Sequence, residues 1–71
     1  MSQPIQLKDA IREKGYTVKD LHERVSKEID ISYAVMASYC RRINSHRGDK
    51  IIWNCIKKHL KDMKVEWREW K

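Results

Sequence analysis

Two cysteines and two histidines, the side chains best suited to hold a transition metal, fall within residues 40–59 of this 71-residue chain: Cys40, His46, Cys55 and His59. Cys55 and His59 are four residues apart, which places a thiol and an imidazole on one face of a helix. Structural zinc sites generally use tighter Cys-x-x-Cys or His-x-x-x-His knuckles. Both cysteines also fall among apolar residues at helical spacing, where a free thiol behaves as a small hydrophobe. No metal site and no cofactor is expected on this pattern. His22 has no acid or nucleophile placed beside it by the sequence and reads as a structural histidine. The chain has no glycine-rich phosphate loop, no carboxylate pair in a defined context and no nucleophile with an assigned base. Four short helices also enclose little volume for a substrate, so neither an enzyme nor a small-molecule receptor is expected.

Charge is more informative. Residues 1–40 carry six Lys/Arg and six Asp/Glu, whereas residues 41–71 carry ten and four, so the net +6 lies entirely in the second part. A localised excess is the electrostatic footprint expected of a polyanion partner. No apolar run approaches the length of a membrane span, and no charged n-region precedes a hydrophobic stretch. Two cysteines are too few for a disulfide scaffold in so small a chain, so the reducing cytoplasm is the expected compartment.

The elements that must position these groups read as an all-α bundle of four or five short helices, with a C-terminal tail that is helical or extended. A first helix is expected over residues 4–14, with Pro4 in its first turn, Ser2 or Gln3 as cap and Gly15 at its exit. Thr17 caps a second, supported by Asp20, and Val18, Leu21, Val25 and Ile29 form its inner stripe. Asp30 or Ser32 caps a third over residues 32–44, with Ile31, Val35, Met36, Tyr39, Cys40 and Ile43 on its apolar side. Its other side carries Ser32, Tyr33, Ala34, Ala37, Ser38, Arg41 and Arg42, and residues 31–40 contain no charge at all. Small and hydrogen-bonding residues let a helix approach base edges closely. A purely solvated face usually carries Glu and Lys instead.

The polar loop 44–50 adds His46, Arg47 and Lys50, and Asp49 caps a fourth helix over about residues 50–62. Ile51, Ile52, Cys55, Ile56, His59, Leu60 and Met63 are expected to face inward, with Lys57, Lys58 and Lys61 outside. A second stripe runs through Trp53, Ile56, Leu60, Met63, Trp67 and Trp70. Residues 1–63 read as one domain and 64–71 as a packing or dimerisation tail. Exposed indoles are costly, so Val65, Trp67 and Trp70 are expected either in a homodimer seam or folded back on the same chain.

From Leu7 to Leu60 the chain resembles the lambda-repressor-like (Cro and phage-repressor, XRE-type) helix-turn-helix family. Leu7, Ile11, Gly15, Thr17, Leu21 and Val25 match its first two helices. Ile31 and Ser32 match the opening of its recognition helix, Met36 and Tyr39 that helix's apolar anchors, and Ile56 and Leu60 the close of the fourth. The chain departs from the family at three places: His22 stands where an alanine is usual, and Val18 where a phosphate-binding glutamine is common. The joint SKEID is about four residues longer than the usual glycine turn, close to one helical turn, which an extended second helix through Ile29 would absorb.

The resemblance implies a sequence-specific transcriptional regulator, often a phage or mobile-element repressor, that binds an inverted repeat of double-stranded DNA as a homodimer. On that expectation Ser32, Tyr33, Ala37, Ser38 and Arg41 face base edges. Thr17, Lys19, Arg42, His46, Arg47 and Lys50 hold phosphates. The alternative is a small protein-binding module, an inhibitor or adaptor, using the uncharged face of the third helix and the C-terminal tryptophans.

Overall fold

The computed structural model describes residues 5–67. Over these residues the chain is an all-α bundle of four helices: α1 Leu7–Glu13, α2 Val18–Ser26, α3 Tyr33–Cys40 and α4 Lys50–Asp62. Ser2, Gln3 and Pro4 lie outside the described residues, but the expected start of the first helix at residue 4 is three residues early: α1 begins at Leu7, with Gln6 extended as its N-cap. α1 starts at Leu7 because the Gln6 carbonyl accepts the first helical bonds, from the N–H groups of Asp9 (3.0 Å) and Ala10 (3.2 Å). The Leu7 N–H donates to the Arg42 carbonyl at 3.3 Å, which fastens the start of α1 to the chain just beyond α3.

α1 and α4 leave by the same device. Gly15, at φ +84°, donates to the Arg12 carbonyl and Tyr16 to the Ile11 carbonyl, the paired bonds of a Schellman turn. At the end of α4, Lys64 donates to Lys61 (3.1 Å) and Val65 to Leu60 (2.9 Å), with Lys64 at φ +58° where glycine is usual. That second turn reverses the chain. It drops Val65 into the core and lays the Trp67 indole on Trp53, ring centroids 5.3 Å apart and planes 21° from parallel. The Trp67 Nε1–H donates to the Ile5 carbonyl at 3.3 Å. Val65 and Trp67, two of the three residues expected at a dimer seam, are thus packed against their own chain. Trp70, the third, lies outside the described residues.

Three further expectations about the helices need correction. α2 stops at Ser26 rather than running through Ile29. Beyond Ser26 the Glu28 and Ile29 N–H groups both converge on the Val25 carbonyl, closing a turn that still leaves Ile29 against the core. α3 ends at Cys40 rather than at residue 44, so Arg41 is its C-cap and Arg42 lies beyond it. Ser32, not Asp30, caps its start, accepting from the Val35 N–H. Finally, Val35 and Ile51 are exposed rather than core. In α4 the buried Trp53 takes the inward direction, and Ile51, two residues earlier on a helix of 3.6 residues per turn, points away.

The core is built from Leu7, Ile11, Leu21, Val25, Met36, Trp53 and Ile56, with Leu60, Met63 and Val65 closing one side. Cys40 and Cys55 are buried and unbridged. Burial pushes the Cys40 thiol up to about 12. No helix among the described residues is long and apolar enough to cross a membrane.

Candidate nucleic-acid interface

α3 presents the face on which the candidate interface rests. Its buried side holds Met36, Tyr39 and Cys40 in the core. That leaves Tyr33, Ala34 and Val35 exposed, and Ala37 and Ser38 half-buried beside them. The short side chains at 37 and 38 keep the helix surface low. At its start His22 holds the approach from α2: Nε2 lies 2.8 Å from the Ile31 carbonyl, and the ring meets Tyr33 edge-on at 5.7 Å. His22 is therefore a brace between α2 and α3, used where a smaller residue would leave the longer joint without support.

At the far end, the loop before α4 is held by three aromatic and basic side chains. The Arg47 carbonyl accepts from Arg42 Nη1 (2.7 Å) and from the Trp53 indole N–H (2.7 Å). The Tyr39 hydroxyl accepts from the Asp49 N–H at 2.8 Å, and the Arg42 guanidinium lies over the Tyr39 ring at 4.2 Å. Asp49 then caps α4 through Oδ1 to the Ile51 N–H (2.8 Å). Gly48, at φ +116°, makes room for this packing. A Cβ there would collide with the Arg42 guanidinium and come within 2.8 Å of the Tyr39 ring and hydroxyl.

The expected base-contacting residues are brought together. Ser32, Tyr33, Ala37, Ser38 and Arg41 lie along one side of α3 or at its two caps. The Arg41 Nε–H reaches back toward the Ala37 carbonyl at 3.4 Å, a long contact at the edge of hydrogen bonding. The expected phosphate residues divide. Arg42 and Arg47 join Arg41, with Ile43 and Asn44, around a basic cleft of about 460 Å³ at the C-terminal end of α3. Arg42 is half-buried and committed to the loop, so its first role is to hold Arg47 in place.

Thr17 is spent differently. Its hydroxyl accepts from the Asp20 N–H (3.2 Å) and donates to the Asp20 carboxylate (3.1 Å), which also accepts from the Thr17 N–H (2.9 Å). This full capping box occupies the hydroxyl that phosphate contact would need. Lys19, His46 and Lys50 are exposed but line neither the C-terminal cleft nor the one at the other end of α3.

That second cleft, of about 270 Å³, is walled by Tyr33 and Thr17 together with Lys8 and Arg12 of α1. Lys8 and Arg12 belong to α1, more than twenty residues from Tyr33 in sequence. Only the tertiary packing of α1 beside the start of α3 makes them neighbours of Tyr33. From Tyr33 to Arg41 the chain advances eight residues, about 12 Å at helical rise. An uncharged helix face thus has Lys8 and Arg12 at one end and Arg41 and Arg47 at the other. Comparison with protein-family models, curated protein sequences and solved structures gives no match to this chain.

Proposed function

We propose that the protein is a sequence-specific DNA-binding regulator that lays α3 in the major groove. The observation that carries this reading is the bracketed face of α3, small and free of charge between two basic clefts. Arg41, at the helix end, has the guanidinium fork suited to a guanine edge. Tyr33 and Ser38 supply hydroxyls, and the exposed Val35 and Ala34 supply apolar contacts of the kind a thymine methyl accepts. Arg47, Lys8 and Arg12 neutralise flanking phosphates, which positions the helix without reading sequence.

One α3 covers only about three to four base pairs at roughly 3.4 Å each. Two copies on an inverted repeat would double that length, so the proposed binding form is a homodimer with half-sites about 34–36 Å apart. Repression of a promoter overlapping such a site is the regulatory role that the resemblance to phage repressors suggests.

A second reading, a protein-binding module, draws support from Tyr33, Val35 and Ile51, the large apolar side chains left exposed. The two are separated by charge on α3. Ala37→Glu and Ser38→Glu each place a carboxylate against the floor of the groove and are expected to abolish duplex binding while leaving the fold's circular dichroism unchanged. Retention of duplex affinity by both variants would remove α3 from the groove.

A further inference from the structure

The turn that follows α2 carries Glu28 back across the bundle onto α4. Its carboxylate Oε2 accepts from the Cys55 thiol at 3.1 Å and lies 3.5 Å from His59 Nε2. Its other oxygen, Oε1, pairs with the Lys58 ammonium at 3.1 Å. Cys55 and His59 are one helical turn apart on α4, so thiol and imidazole project from one face toward the same carboxylate. The three candidate ligand atoms all lie within 4.8 Å of one another. Cys55 is buried, and His59 Nε2 is enclosed with no hydrogen-bond partner.

His59 Nε2 is thus left without a hydrogen-bond partner although a carboxylate lies beside it. A neutral ring presenting its Nε2 lone pair to a carboxylate 3.5 Å away is repelled by it. Only a proton or a metal ion between the two reverses the sign. The separations suit a metal. Tetrahedral zinc, with bonds of about 2.0–2.3 Å to nitrogen, oxygen and sulfur, holds its ligand atoms roughly 3.3–3.6 Å apart. The two separations from Glu28 are within a few tenths of an ångström of that, and the remaining one, between the Cys55 sulfur and the His59 nitrogen, is no more than 4.8 Å and closes by small side-chain rotations of those two residues.

We propose that Glu28, Cys55 and His59 form a binding site for a borderline-soft divalent transition metal of the zinc class. One thiolate, one imidazole and one carboxylate oxygen make a set that magnesium and calcium, which want oxygen throughout, do not favour. Binding exchanges the Cys55 thiol proton, released to solvent, for the sulfur–metal bond, and takes up the His59 Nε2 lone pair. The thiolate and the Glu28 carboxylate together balance the dication. Lys58 stays on Oε1 and orients the carboxylate. Three protein ligands leave a fourth position for water or for a side chain of a partner. The site clamps the joint between α2 and α3 onto α4, at the point where α2 ends after Ser26. It stands independently of the DNA reading, since none of its three residues lines either basic cleft.

The test uses the full chain, stripped with a chelator and titrated with Co²⁺ as the probe. The expected result is one equivalent bound, with the visible bands of tetrahedral cobalt and a near-ultraviolet thiolate-to-cobalt band, both removed by excess Zn²⁺. Cys55→Ser is expected to remove the thiolate band. Glu28→Gln, a change at an exposed carboxylate, is expected to weaken binding by at least about tenfold. Zn²⁺ should raise the melting temperature of the wild type more than that of Glu28→Gln. Weak octahedral cobalt absorption without a sulfur band would overturn the proposal, as would affinity unchanged in Glu28→Gln. Should Cys55→Ser fail to fold, the wild-type spectrum and Glu28→Gln still decide the matter.

Discussion

The Arg42 guanidinium lies over the Tyr39 ring at 4.2 Å and donates to the Arg47 carbonyl at 2.7 Å, so one side chain joins the end of α3 to the loop that carries Arg47. Arg42 thereby acts on the proposed interface chiefly by holding a neighbouring arginine in register. Gly48 is the position that lets it. Gly48→Ala combines an unfavourable positive φ with a collision against Arg42 and Tyr39, and is expected to cost about 2–4 kcal/mol. Urea denaturation gives the loss directly. A cost near zero would mean that the loop does not pack as described.

Lys64 has the left-handed conformation that glycine adopts at no steric cost. Lys64→Gly should therefore stabilise the fold by about 0.5–1 kcal/mol, after allowing for the extra freedom of glycine in the unfolded chain. Gly15→Ala, at the equivalent turn after α1, should destabilise by about 1 kcal/mol, although a Cβ there meets nothing. Opposite signs for the two substitutions in thermal melts are the signature of paired Schellman turns.

Trp67 packs on Trp53 and reaches the Ile5 carbonyl, closing the C-terminal segment over the start of the chain. Trp67→Ala should cost about 2–3 kcal/mol and diminish the near-ultraviolet circular dichroism of the stacked pair. The loss should be independent of protein concentration, because the contact lies within one chain. A concentration-dependent loss would place Trp67 in a seam between copies.

Much of the fold is legible in the chain because local chemistry and burial agree there. Thr17, Ser32 and Asp49 all cap the helices that follow them, and Leu21, Val25, Met36 and Ile56 sit at helical spacing and are buried. The Thr17–Asp20 capping box also shows why a correct local reading can mislead about function, since the cap uses the hydroxyl that a phosphate would need. Helix ends were less legible. α2 and α3 stop early, and just beyond their ends Glu28 turns to α4 and Arg42 to the loop five residues on. No periodicity reports such contacts. The same is true of the candidate sites. Arg41 and Arg47 are near each other in sequence, but Lys8 and Arg12 reach Tyr33 only through packing. Glu28 meets Cys55 and His59 from the far side of two helices.

Cys40 supplies a pH dependence whose sign follows from its burial. Its thiol is raised from 9.0 to about 12, so the folded chain keeps the proton after the unfolded chain has lost it. The contribution is fully present below pH 9 and is lost as pH rises from 9 toward 12, at about 1.4 kcal/mol per pH unit. Cys40→Ala should be less stable than wild type at pH 7 yet lose stability more slowly above pH 9. Parallel profiles for the two proteins would show that the thiol ionises equally well in both states.

Arg41 and Arg47 should fail in different ways if α3 occupies the groove. Arg41→Ala is expected to relax sequence preference and cost on the order of 1–3 kcal/mol on the preferred duplex. Arg47→Ala should weaken preferred and scrambled duplexes alike and reduce the salt slope by about one. Binding isotherms across a salt series distinguish the two patterns, and identical behaviour would leave Arg41 as one more phosphate contact.

Selection of random duplexes by the wild-type protein, followed by sequencing, tests the central claim most directly. An α3 that reads bases as a pair of copies predicts enrichment of one inverted repeat with half-site centres about one helical turn apart, and loss of that enrichment in Ser38→Glu. Recovery of duplexes without any shared sequence, or the same enrichment from Ser38→Glu, would contradict it.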